Sequence, residues 1–172
     1  LIVKIKEHHE RNGGLSRFEK IPLYLSWSSE VVTDKKIQEY CSKFSLLVKQ
    51  SVIDSPWAYG FLEFIERNYK VNKHILVTAT PTKEIEEILK VLNIRHFFYR
   101  VYGAPDPKGG IIKKTLREMK ISPKHAIMLG DSVSDFKAAK ENNVLFFLRS
   151  TRLNHNLHSE CKEYLFKDFA NE

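Results

Sequence analysis

Cysteine is scarce in this chain, with Cys41 and Cys161 the two in 172 residues. That is too few for a disulfide scaffold, and both are expected as reduced packing residues within helical segments. Long apolar runs are also missing. No stretch approaches the roughly 18 residues that cross a bilayer, and the opening LIVKIKEHHE is too briefly apolar for a secretory signal. Blocks of like charge are absent as well: no run of five or more Lys or Arg accompanies the net charge of +7. Zinc-finger spacing, RNP-like aromatic motifs and basic-region heptads are lacking too. The charge therefore reads as a solvated basic surface or an attraction for small anions, not as nucleic-acid binding. With 42% hydrophobic and 28% charged residues, a folded cytoplasmic protein is expected, with no membrane or nucleic-acid partner.

Two patterns divide what is present. Up to about residue 55 everything reads as helix. DKKIQEYCSKFSLLVKQS (34–51) sets Ile37, Tyr40, Cys41, Phe44, Leu47 and Val48 at spacings of three and four, with Asp34 as its expected N-cap. NGGLSR (12–17) separates one short helix from the next, and Pro22 is expected to limit that second helix or begin a new turn. His8 and His9 share a helix with no third metal ligand nearby. Trp27, Trp57 and the Phe-rich strands are expected in the core.

Beyond residue 55 strands and helices alternate. SPWAYGFLEFIERNYK (55–70) suits a helix capped by Asp54 or Ser55, with Pro56 in its first turn. Strands follow at HILVT (74–78), FFYRVYG (97–103), HAIMLG (125–130) and VLFFL (144–148). Between them lie helices at 81–94, 108–120 and 133–143. Apolar strands in such alternation predict an α/β fold, a parallel Rossmann-like sheet in three layers, covered on both faces. The tail from Thr151 has helical spacing in Cys161, Tyr164, Leu165 and Phe169 and should pack on the body or on another chain.

In such sheets ligands sit beyond the carboxyl ends of the strands. That rule selects Thr78, Lys108, and Asp131 with Asp135 one helical turn later. Two carboxylates with only oxygen to offer suit a hard cation such as Mg²⁺. A lysine and a hydroxyl beside that cation suit a phosphoryl group. Taken singly, each has an ordinary explanation: Thr78 and Thr80 as caps, Lys108 as an exposed first-turn lysine, the aspartates as caps or surface charge. The ordered set argues otherwise.

VTATP (77–81), APDPK (104–108) and LGDSVSD (129–135) resemble, in this order, motifs two, three and four of the haloacid dehalogenase superfamily. The likeness covers about residues 56–149. HHERNGGLSRFEK (8–20) resembles the helical cap of its phosphoglycolate-phosphatase-like and β-phosphoglucomutase-like members. The resemblance implies a Mg²⁺-dependent phosphatase of a small phosphorylated metabolite, with residues 1–54 as cap and 55–172 as α/β core. By position, Thr78 and Ala79 would meet the phosphoryl group and Lys108 would offset its charge. Asp131 would ligate Mg²⁺, and Asp135 would ligate through water or hold Lys108. Arg17 and Lys20 would face the substrate from the cap.

The family's first motif, DxDx[TV], supplies the nucleophile and the general acid and base. None of the six aspartates (Asp34, Asp54, Asp106, Asp131, Asp135, Asp168) belongs to a D-x-D pair, and the chain opens at Leu1 inside what resembles the cap's first helix. A fragment without its nucleophile is expected. Alternatives are a catalytically silent anion-binding relative and a phosphomutase. A receiver-like domain fits poorly, because Lys108 precedes the acidic pair. On this reading the 172 residues do not turn over a phosphate ester by themselves and bind Mg²⁺ poorly. Their sheet, lacking a central strand, exposes an edge prone to self-association.

Overall fold

The structure, a computed structural model, describes residues 1–161 and 164–170. Its N-terminal part is helical: α1 (Ile2–Arg11), α2 (Arg17–Trp27) and α3 (Asp34–Ile53). Local signals set the starts. Glu19 reaches back to the Ser16 N–H at 2.9 Å, opening α2. Thr33, not Asp34, caps α3, its Oγ1 accepting from Lys36 N at 3.3 Å. Asp34 becomes the first helical residue instead, where its charge complements the helix dipole. Pro22 also departs from expectation, because α2 runs through it. Ile21 and Leu25, on either side of it, pack on Cys41, Ile37 and Phe44 of α3 and hold the helix across the missing N–H.

The next helix begins later than its capping signals suggest. Asp54 closes α3 as its C-cap, and α4 (Phe61–Asn68) starts only after Gly60. Trp57, in the intervening segment, is 41% exposed and stacks on Phe61, so it is not a core residue.

The expected alternation then holds: β1 (His74–Pro81), α5 (Thr82–Val91), β2 (Phe98–Ala104), α6 (Lys108–Met119), β3 (Ile127–Gly130), α7 (Val133–Glu141) and β4 (Leu145–Arg149). A last strand, β5 (Leu165–Phe166), replaces the helix expected in the tail. The open edge of β4 explains the difference, since Leu148 N and Ser150 N donate to Tyr164 O and Phe166 O at 2.8 and 2.7 Å. Backbone groups of an unpaired edge outcompete a helical side-chain period. Cys161 accordingly sits in a turn, buried against Leu148 and Leu157, and not in a helix. Residues 162, 163, 171 and 172 of that tail lie outside the described ones.

All strand pairs are parallel, as expected, but they form two sheets: β1–β2 and β3–β4–β5. Among the described residues β1 and β3 each keep one unpaired edge. Two cores follow from this split. Leu89, Ile94 and Val101 pack α5 on the first sheet with Leu76 and Ile85. Phe146, Leu148 and Ala139 pack α6 and α7 on the second with Ile112, Leu116 and Met128. The opposite face of the second sheet is not covered as predicted: Ile127, Leu129 and Leu145 are 62%, 36% and 41% exposed. Helix α3, which could have shielded a sheet, packs on α5 instead. No helix among the described residues is long and apolar enough to cross a membrane.

Candidate active site

The carboxyl ends of β1 and β3 meet the helical segment. Ala79 and Thr80 face α1–α3 across a cavity, and beyond β3 the Ser134 hydroxyl donates to Gly14 O at 3.0 Å. A side chain at Gly14 would collide with Ser132 and Ser134, which is why the helices can approach the strand end so closely here.

On β1, the Thr80 N–H donates to Thr78 Oγ1 at 3.2 Å. Among the described residues the Thr78 hydroxyl makes no other hydrogen bond. Strand β2 leads through a cis Ala104–Pro105 bond to Lys108, the first residue of α6. Lys108 Nζ lies 2.6 Å from Asp135 Oδ1, and the two side chains are only 14% and 9% exposed.

Strand β3 ends at Gly130, and Asp131 follows at once. Ser132 then caps α7 in a reciprocal box with Asp135, whose Oδ2 accepts from the Ser132 hydroxyl at 2.7 Å and its N–H at 3.2 Å. A Cβ at Gly130 would lie 2.6 Å from the Asp135 Cβ, so only glycine allows this packing. Both oxygens of Asp135 are engaged, one by the ammonium and one by the cap. Of its two expected roles, the geometry displays the holding of Lys108.

Asp131 differs. Its recorded bonds are made by its backbone: the N–H to Asp135 Oδ2 at 3.4 Å, and the carbonyl from Asn154 Nδ2 at 2.8 Å. The carboxylate stands at the exposed rim with no partner of its own among the described residues. The protein packed around it raises its pKa above the ordinary aspartate value. The nearby Asp135 charge adds to the rise, and Arg149 and Lys108 oppose it. A cation would relieve that burden.

Two contributors escaped the sequence reading. Arg149 ends β4, bears on Asp131 electrostatically and keeps a buried Nε that has no hydrogen-bond partner among the described residues. Asn154, 4% exposed, donates to both Asp131 O and Arg149 O at 2.8 Å, tying the ends of β3 and β4 together. Arg149 was signalled only as the first charge after an apolar run. Asn154 had no signal in spacing.

From the helical segment, Arg17 is spent within the protein. Its guanidinium grips Glu84 through two bonds of 2.8 Å and also donates to Ser45. Lys20, 6% exposed, has no such partner among the described residues, and burial lowers its pKa, with Glu19 partly opposing. His8 bonds to Tyr24 at 3.1 Å. Among the described residues no group of three or more His, Cys, Asp or Glu is placed to hold a metal ion. A Mg²⁺ site needs fewer: the ion commonly takes one or two carboxylates and completes its shell with water and phosphate oxygens. The Asp131 carboxylate fits that donor set.

Several solved structures share this fold. A predicted phosphoglycolate phosphatase from Haemophilus somnus 129pt superposes with a TM-score of 0.70 at 19% identity, covering 89% of this chain and 72% of that one. A candidate phosphoglycolate phosphatase from Lactobacillus plantarum gives 0.72 at 15% identity, covering 92% and 76%. A candidate β-phosphoglucomutase from Thermotoga maritima gives 0.62 at 20%, covering 95% and 79%. No curated protein matches by sequence. The family model for haloacid dehalogenase-like hydrolases matches residues 17–148, and the chain belongs to that family.

Proposed function

We propose that the chain forms the Mg²⁺- and phosphoryl-binding part of a phosphomonoester hydrolase acting on a small phosphorylated metabolite. The observation that carries this reading is the Lys108–Asp135 ion pair set beside an Asp131 carboxylate that has no partner among the described residues. Asp135 holds the Lys108 ammonium in place. Lys108 offsets the charge of phosphoryl oxygens and of an attacking carboxylate, and the Thr78 hydroxyl donates to the same group. Asp131 would hold Mg²⁺, which when bound supplies charge neutralisation at the phosphoryl oxygens. Residues 1–54 act as the cap over this crevice and residues 55–172 as the core.

A nucleophile is the one element these residues do not supply, since none of the six aspartates sits in a D-x-D pair. In this reading the nucleophile arrives on a further strand, and the unpaired edges of β1 and β3 are its acceptors. The 172 residues alone bind a phosphoryl group without turning it over. The missing D-x-D equally favours a second reading, a non-catalytic anion-binding relative.

The test compares Mg²⁺-dependent phosphate release from phenyl phosphate by the complete gene product and by these 172 residues. Release by the former alone, abolished by Asp131→Asn, is the expected result. Inert complete product that still binds inorganic phosphate would establish the second reading, and failure to bind phosphate at all would sink both.

A further inference from the structure

The β3–β4 ladder ends at the Gly130–Leu148 pair, so the carbonyls of Asp131 and Arg149 lie just past its last rung. A single side chain satisfies both. Asn154 Nδ2 donates to each at 2.8 Å, and at 4% exposure the amide is closed off from water. Its orientation is fixed by chemistry. Turned over, the amide would set its oxygen against two carbonyls, which only accept.

The other side of the amide faces the segment that follows. Asn154 Oδ1 accepts from the Thr151 N–H at 2.9 Å and stands 3.2 Å from His158 Nε2. An amide oxygen cannot donate, so the hydrogen of this second contact belongs to His158 Nε2. The Ser150 hydroxyl lies 3.2 Å from the same nitrogen and serves as its second acceptor. Both hydrogen bonds of the ring are thus made at Nε2.

The ring itself is held from two sides. Leu157, 3% exposed, anchors the short 3-10 turn His155–Leu157 in the core of the second sheet. His155 meets the His158 ring edge-on, with centroids 4.8 Å apart. A chain of defined contacts therefore runs from His158 through Asn154 to the backbone of Asp131. The Asp131 carboxylate projects from that backbone, so a displaced Asn154 amide moves the carboxylate relative to Lys108 and Asp135.

We propose, building on the phosphatase reading above, that His158 is a positioning residue for the cation site: it holds the Asn154 amide that fixes the Asp131 backbone. His158 touches neither the ion nor the phosphoryl group. Its effect resembles that of the outer-shell partners that orient metal-binding side chains.

The test reads Mg²⁺ affinity from the melting temperature of the 172-residue protein over a range of Mg²⁺ concentrations, with inorganic phosphate present. His158→Leu and His158→Asn should each weaken Mg²⁺ binding about tenfold, as loss of an outer-shell partner does. Asparagine carries its amide where Nδ1 stands and cannot reach Asn154. Glutamine carries its amide where Nε2 stands, so His158→Gln should recover the affinity of the unaltered protein. A histidine with a purely structural role would lower the ion-free melting temperature and leave Mg²⁺ affinity intact in every variant that folds, a result that overturns the assignment. The unaltered protein supplies a second measurement. Its ¹⁵N spectra above neutral pH should show His158 with the hydrogen on Nε2, and the Nδ1–H tautomer also overturns the assignment. Failure of the phosphatase reading looks different: Mg²⁺ then gives no stabilisation, or the stabilisation survives Asp131→Asn, and the role of His158 falls with it.

Discussion

Lys108 and Asp135 come from the starts of two successive crossover helices and meet at 2.6 Å with little exposure to solvent. Removing one member leaves a mostly buried charge uncompensated. Lys108→Met should therefore lower the unfolding free energy by about 3 kcal/mol in urea titrations, and weaken inorganic phosphate binding by at least about tenfold. Unchanged phosphate affinity in a folded variant would remove Lys108 from the site.

Arg17 and Glu84 make a second enclosed pair, joining α2 to α5 with side chains 7% and 9% exposed. Breaking it on one side, as in Arg17→Met, should cost about 3–5 kcal/mol, and the double change Arg17→Met with Glu84→Leu should recover much of that loss. A double-mutant cycle by chemical denaturation measures the coupling. Because the guanidinium is already satisfied inside the protein, phosphate affinity should hardly move in the double variant. A large drop there would instead place Arg17 against the ligand.

Asp131 links stability to pH with a defined sign. Its folded pKa is raised, chiefly by burial and then by Asp135. The stability it contributes is fully present below the unfolded pKa and lost as pH rises through the folded value, so at neutral pH the ionised carboxylate opposes folding. Because Asp131 is an exposed residue, solvent screens most of that cost; Asp131→Asn should raise the melting temperature only slightly at about pH 7 and change little well below about pH 4, where an ordinary aspartate is protonated. The same substitution should abolish any thermal stabilisation by added Mg²⁺. Calorimetry with and without the ion reads both effects, and a variant that melts lower at neutral pH contradicts the assignment.

The uncovered face of β3 and β4, carrying Ile127, Leu129 and Leu145, together with the open edges of β1 and β3, predicts self-association of the 172-residue chain. Sedimentation velocity over a range of concentrations should show species larger than a monomer. Ile127→Lys should shift the distribution back towards monomer, and a monomer at every concentration for the unaltered chain defeats the prediction.

The Lys108–Asp135 contact was legible because both residues are tied to strand ends. Lys108, Asp131 and Asp135 each stand just beyond the carboxyl end of a strand or one turn into the following helix, and the structure brings these three together. Asn154 was not legible, because its role is to bond two carbonyls that the chain brings together only after β3 and β4 pair. Arg17 illustrates the reverse failure. Its place in GGLSR suggested a substrate contact, but the partner that claims it lies 67 residues away.

Local signals misled where a competing partner was distant. Asp54 and Pro56 read as a helix start, yet the helix that includes Ile53 runs up to Asp54 and the next waits for Gly60. Cys161, Tyr164, Leu165 and Phe169 repeat at a helical period, yet the free edge of β4 draws Leu165 and Phe166 into a strand.

The sequence by itself determined the order of strands and helices, the parallel pairing and the residues delivered to the strand ends, because hydrophobic period and capping chemistry act within a few residues. Tertiary structure alone decided that the strands divide into two sheets, which of its two expected roles Asp135 takes, and that among the described residues the Asp131 carboxylate and the Lys20 ammonium have no ion-pair partner. Those outcomes depend on which groups meet across long stretches of chain, where burial and electrostatics are set by neighbours that no local pattern encodes.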